Sequence, residues 1–150
     1  MRQLLPWHEN LSKRQVKAPK IYLSDSGVLH TLLGVQTQDD LLRHPKSGAS
    51  WEGFVINEII HQLRAIHEEC YYWATHSGAE LDLFIIHGSR RLGFEIKLTT
   101  APRLTPSMRS ALDSLKLDRL AVVHAGEHAF PMADRIDAVP FARLAECVKV

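Results

Sequence analysis

Apolar residues recur with a helical period through SWEGFVINEIIHQLRAIH, at Trp51, Phe54, Val55, Ile59, Leu63 and Ile66. This spacing predicts an amphipathic helix with Ser50 as its N-cap. The aromatic run CYYWATHSG then reads as a strand ending in a turn. ELDLFIIHGSRRLGFEIK follows as two strands around Gly88-Ser89, a pair of the form that a two-residue type II′ hairpin prefers. A second helix is predicted behind Thr105 as cap, with Pro106 at its first position and a stripe of Met108, Ala111, Leu112 and Leu115. RLAVVHAG is continuously apolar, as in a strand covered on both faces. RIDAVPFARLAECV supplies a last short strand and a terminal helix.

Upstream, Ile21–Leu23 reads as a short strand. Ser24 or Asp25 caps a helix that runs through Leu33 and closes at Gly34, and DDLLRHP adds a helical turn stopped by Pro45. The first twenty residues carry Pro6, Pro19 and the bases Arg2, Lys13, Arg14, Lys17 and Lys20. They read as an irregular basic linker or phosphate-contacting arm (1–20) ahead of one domain (21–150). The order of elements implies an α/β fold, a mixed central sheet flanked by helices.

Composition narrows this little. The 150 residues suit one domain with its own core, and a formal charge of +1 neither demands nor excludes nucleic acid. Cys70 and Cys147 stand apart from any metal-binding or disulfide pattern, which fits a reducing compartment. Neither a signal peptide nor an apolar run of about 20 residues is present, so a soluble cytoplasmic protein is the default expectation.

The hairpin carries the candidate chemistry. If Gly88-Ser89 is the turn, facing residues sum to 177, so Leu83 opposes Phe94, Asp82 opposes Glu95 and Glu80 opposes Lys97. Faces alternate along each strand. One face then carries Leu81, Leu83, Ile85, Leu92, Phe94, Ile96 and Leu98. The other gathers Glu80, Asp82, Glu95 and Lys97 at one end. Like charges placed opposite one another destabilise a strand pair, by an amount within the roughly 0.2–1 kcal/mol of such pairs. A hard cation would convert that repulsion into binding. A solvated face balanced by Lys97 is the plain alternative. Glu52 adds weight: it falls at about 100° on the helical wheel, inside the apolar stripe, where a lone carboxylate is costly.

An acid on the first long helix, Asp82, and then Glu95-Ile96-Lys97 resemble the PD-(D/E)xK nuclease superfamily. KAPKIYLSDSGVLHTLLGV, GASWEGFVINEII, GAELDLFI and GFEIKLTTAP together resemble the uncharacterised C-terminal domain of prokaryotic AAA-type ATPases. That resemblance implies a restriction-endonuclease-like fold with Glu52, Asp82, Glu95 and Lys97 at the motif positions. It implies Mg²⁺ or Mn²⁺ held by Asp82, Glu95, the Ile96 carbonyl and Glu52. It also implies nucleic acid, DNA first, and the ATPase module as partners, with a homodimer as a further expectation and no membrane. Two departures stand out. Leu81 replaces the motif's proline, and no GxxxxGK[ST] occurs, so the ATPase half is absent and the chain reads as a fragment or a stand-alone copy of the domain.

The rival reading is an inactive nuclease-fold module that binds nucleic acid or protein. A histidine-based site is disfavoured. There is no HExxH, His124 and His128 bracket Ala125-Gly126, and His61 and His67 do not share a helix face.

Overall fold

A computed structural model describes residues 1–8, 18–32, 34 and 36–148. Its strands are β1 (Arg2–Pro6), β2 (Lys20–Tyr22), β3 (Cys70–Ala74), β4 (Glu80–His87), β5 (Arg90–Lys97), β6 (Arg119–His124), β7 (Phe130–Ala133) and β8 (Ile136–Pro140). Its helices are α1 (Ser26–Leu32), α2 (Gln38–Arg43), α3 (Ser47–Leu63), α4 (Pro106–Ser114) and α5 (Leu144–Cys147). The eight strands form one mixed sheet in the order β2-β1-β3-β4-β5-β6-β8-β7. β5, β6 and β8 run parallel, as do β1 and β3, while the remaining neighbours are antiparallel.

Both faces of the sheet are covered. Val55, Ile56, Ile59, Ile60 and Leu63 of α3 pack on Leu83, Ile85, Leu92, Phe94 and Ile96. Met108, Ala111 and Leu112 of α4 pack on the opposite face against Leu81, Phe84, Leu120 and Val122. β6 therefore sends side chains into both layers, which is why its sequence is continuously apolar. Gly93 lets the α4 layer close: a Cβ there would lie 2.5 Å from a Leu117 methyl.

The structure corrects the sequence reading at several points. Arg2–Pro6, expected to be irregular, form β1 inside the sheet, with Leu4 fully buried. Lys13, Arg14, Lys17 and Leu33 lie outside the described residues. α3 begins at Ser47, and Ser50 is a buried residue within it, hydrogen-bonded to His30 at 2.8 Å, so it is not the N-cap. The core stripe of α3 runs through Ile56 and Ile60 as well. Phe54 is exposed, and Ile66 lies past the left-handed stop at Arg64. β7 was not anticipated. Thr105 does cap α4 as expected, accepting from the Met108 N–H at 3.4 Å.

Candidate acidic site at the end of the hairpin

Gly88 takes a positive φ of 61°, and the β4–β5 ladder runs from His87↔Arg90 to Leu83↔Phe94 in the register read from the turn. Beyond Leu83 the expected pattern breaks. β3 pairs Tyr71 with Phe84 but Trp73 with Leu81, so two residues of β4, Asp82 and Leu83, stand against Tyr72 alone. This is a β-bulge, which re-aims side chains locally. Leu81 consequently joins the α4 layer, not the α3 face with Leu83 and Ile85. Glu80 pairs with Ala74 across β3, and neither Asp82↔Glu95 nor Glu80↔Lys97 belongs to the ladder.

The bulge gives Asp82 a different task. Its Oδ2 accepts the Ile96 N–H at 2.8 Å, a buried bond. Asp82 and Glu95 are 8% and 6% exposed, deep enough that their charges act on each other through little water. Burial, then the Glu95 and Glu52 charges, push the Asp82 carboxyl up from 3.8 to about 7, against the Ile96 hydrogen bond and Lys20. Burial likewise raises Glu95, against the opposing pull of Lys97.

Lys97 Nζ sits 2.7 Å from Glu95 Oε1. Burial disfavours its charge, but the Glu95 hydrogen bond and the Glu95, Asp82 and Glu52 charges outweigh that and hold the amine above its usual value. Glu95 Oε2 is left buried with no hydrogen-bond partner. An unpaired buried carboxylate oxygen carries the full cost of desolvation.

Glu52 projects from the first turns of α3 toward the same end. Lys20 Nζ lies 3.7 Å from Glu52 Oε1 and 3.9 Å from Asp82 Oδ1. The Tyr22 hydroxyl donates to the same Glu52 oxygen. Burial and the Glu52 hydrogen bond keep that phenol protonated well above its usual range. Gly53 admits the tyrosine ring, since a Cβ there would be 3.0 Å from Tyr22 Cδ1. Lys20 was read from the sequence only as one base of the irregular arm, not as part of the acidic site, and Tyr22 was not singled out; both lie on β2. Their only local signal is a lysine and a tyrosine two apart on a short strand.

The donor set suits a hard cation in part. Glu95 Oε2, the Asp82 carboxylate and the Ile96 carbonyl are oxygen donors of the kind that Mg²⁺ or Mn²⁺ takes. Among the described residues, no group of three or more His, Cys, Asp or Glu side chains is placed to hold a metal ion. Glu52 is engaged by Tyr22 and Lys20, so the fit is to an ion held by two carboxylates, a carbonyl and water.

His124 is fully buried. Its Nδ1 accepts the Gly126 N–H at 3.0 Å, and its Nε2 lies 3.0 Å from the His128 carbonyl oxygen. Both ring nitrogens are thus engaged in shaping the loop after β6. Among the described residues, no helix is long and apolar enough to cross a membrane.

The model of a family described as "Domain of unknown function (DUF4143)" matches residues 47–144, roughly two thirds of the chain. A second, "Domain of unknown function (DUF8612)", matches residues 1–39. "Uncharacterized protein Rv2008c" of Mycobacterium tuberculosis and "Uncharacterized protein Mb2031c" of Mycobacterium bovis are each 51% identical over 140 residues. That alignment covers 93% of this chain and 31% of either relative, so the chain spans about a third of the length of the curated relatives it matches. No solved structure matches.

Proposed function

The chain belongs to the DUF4143 family, whose description assigns no activity, and from the chemistry of the acidic site we propose a metal-dependent phosphodiester hydrolase domain acting on DNA. The observation that carries the reading is the pairing of two buried carboxyl groups, one with an unpartnered oxygen, beside the Lys97 amine 2.7 Å from Glu95. The Lys97–Glu95 ion pair engages one carboxylate oxygen and leaves the other buried and unpartnered. The placement of Asp82 and Glu95 on adjacent strands, with a helix acid at the same end, is what the PD-(D/E)xK resemblance expects. It supports a restriction-endonuclease-like reading of the fold.

When bound, Mg²⁺ or Mn²⁺ supplies Lewis-acid polarisation of a phosphoryl oxygen and a more acidic water. Asp82 and Glu95 would hold the ion with the Ile96 carbonyl. Lys97, kept protonated by its acidic neighbours, is suited to hold phosphate charge and orient water, and less suited to remove a proton. The matched relatives are about three times the length of the region they share with this chain, which leaves room for the ATPase module that the resemblance implies.

Calorimetry with Mn²⁺ tests the site: the wild-type chain should bind, and Asp82→Ala should lose the heat. Branched or single-stranded DNA should then be cleaved in Mg²⁺ or Mn²⁺, with Lys97→Ala reducing the rate by at least about 100-fold. Metal binding without cleavage of any DNA form would leave a nucleic-acid or protein-binding module. No metal binding would end the hydrolase reading.

A further inference from the structure

Outside the four motif positions, strand β2 turns two side chains onto the acids. Lys20 and Tyr22 are two residues apart on a strand and so share a face. Both meet Glu52 Oε1, Tyr22 through its hydroxyl and Lys20 Nζ at 3.7 Å. The same ammonium is 3.9 Å from Asp82 Oδ1 and 5.2 Å from the centre of the Tyr72 ring. It therefore stands between the helix acid and the hairpin acid, braced by an aromatic face.

The two halves of the site differ. At Glu95, Oε2 is left without a hydrogen-bond partner, although the residue is only 6% exposed. Between Glu52 and Asp82 a cation is already in place. We propose that Lys20 is the resident cation of the Glu52–Asp82 half, filling the position that a second divalent ion would need, so that the site accepts one ion per chain. This inference rests on the metal-site reading above. A divalent ion lodged between Glu52 and Asp82 would have to displace the ammonium or lie against it, and like charges at such separations repel strongly in a half-buried site. Lys20 is thus a positioning residue. It holds Glu52 and Asp82 at a fixed separation, and it sets the stoichiometry of the ion site without itself being a ligand.

Mn²⁺ binding to the full chain, followed by calorimetry and by loss of the free-ion spin-resonance signal, tests this. Wild type should take one ion and Lys20→Gln two, and Glu52→Gln added to Lys20→Gln should return the count to one. Lys20→Arg, which keeps the charge, should stay at one. Thermal melting gives a second readout. In chelator, Lys20→Gln should melt several degrees below wild type, and Ca²⁺ should restore more of that loss than it adds to wild type. An ordinary surface ion pair would show the drop without the cation-specific recovery. One ion in both wild type and Lys20→Gln at equal affinity, or two in wild type, overturns the proposal and leaves the hydrolase reading standing. Absence of binding in every chain overturns both.

Discussion

Asp82 is expensive to keep. Its carboxyl has moved from 3.8 to about 7 because burial and two acidic neighbours disfavour its charge. Between about pH 4 and 7 the unfolded chain has released this proton while the folded chain still holds it. Stability of the metal-free protein should therefore fall as pH rises through that window and stay low above it. Asp82→Asn removes the charge and retains an oxygen able to accept the Ile96 N–H. At pH 8 it should raise the melting temperature by at least about 2 °C, a shift on the order of 1 kcal/mol for a chain of this size. At pH 4 the gain should vanish. Scanning calorimetry at the two pH values checks this, and an equal gain at both would remove charge as the cause. The two-residue turn set the numbering only as far as Leu83↔Phe94; the opposition of Asp82 to Glu95 read from it fails at the bulge, although burial and charge still couple the two carboxyls. Lys20 and Tyr22 could not be read as part of the site, because the acid they serve lies 30 residues beyond the tyrosine and no local rule connects them.

Among the elements, those with a strong period or a cap were legible: α3 by its stripe, α4 by Thr105 and Pro106, the hairpin by Gly88-Ser89. β7 was hidden by Pro131, a residue tolerated there because β7 is the outermost strand and pairs only with β8. The bulge at Asp82–Leu83 had no sequence signal, since the extra residue is defined by its opposition to Tyr72 on another strand. It also reassigned Leu81 to the α4 layer, where one of its methyls is 3.2 Å from the position of a Cβ on Gly93. Gly93→Ala should then force Leu117 and Leu81 apart. The expected cost is about 1–3 kcal/mol, the range for overpacking a filled core. It would be read as a lower denaturant midpoint with an unchanged slope, and a cost under about 0.5 kcal/mol would mean the layer can yield.

At the scale of the molecule, an α/β domain with a mixed sheet was accessible from the alternation of strand and helix patterns. The strand order was not. β1 lies parallel to β3 although more than sixty residues separate them, and such pairing leaves no trace in either segment. The result is a site assembled from three distant parts of the chain: β2, the start of α3, and the β4–β5 hairpin.

The DUF4143 match begins at residue 47, after β1 and β2. A protein trimmed to residues 47–144 would retain all four motif side chains yet bare one flank of β3. The backbone of Tyr71 and Tyr72, now covered by Leu5 and Pro6, would become a template for another chain, with the slot of buried Leu4 open beside it. Light scattering on the trimmed protein should find concentration-dependent assemblies where the longer chain shows none of that dependence. A well-behaved trimmed monomer would mean that the front strands are dispensable cladding.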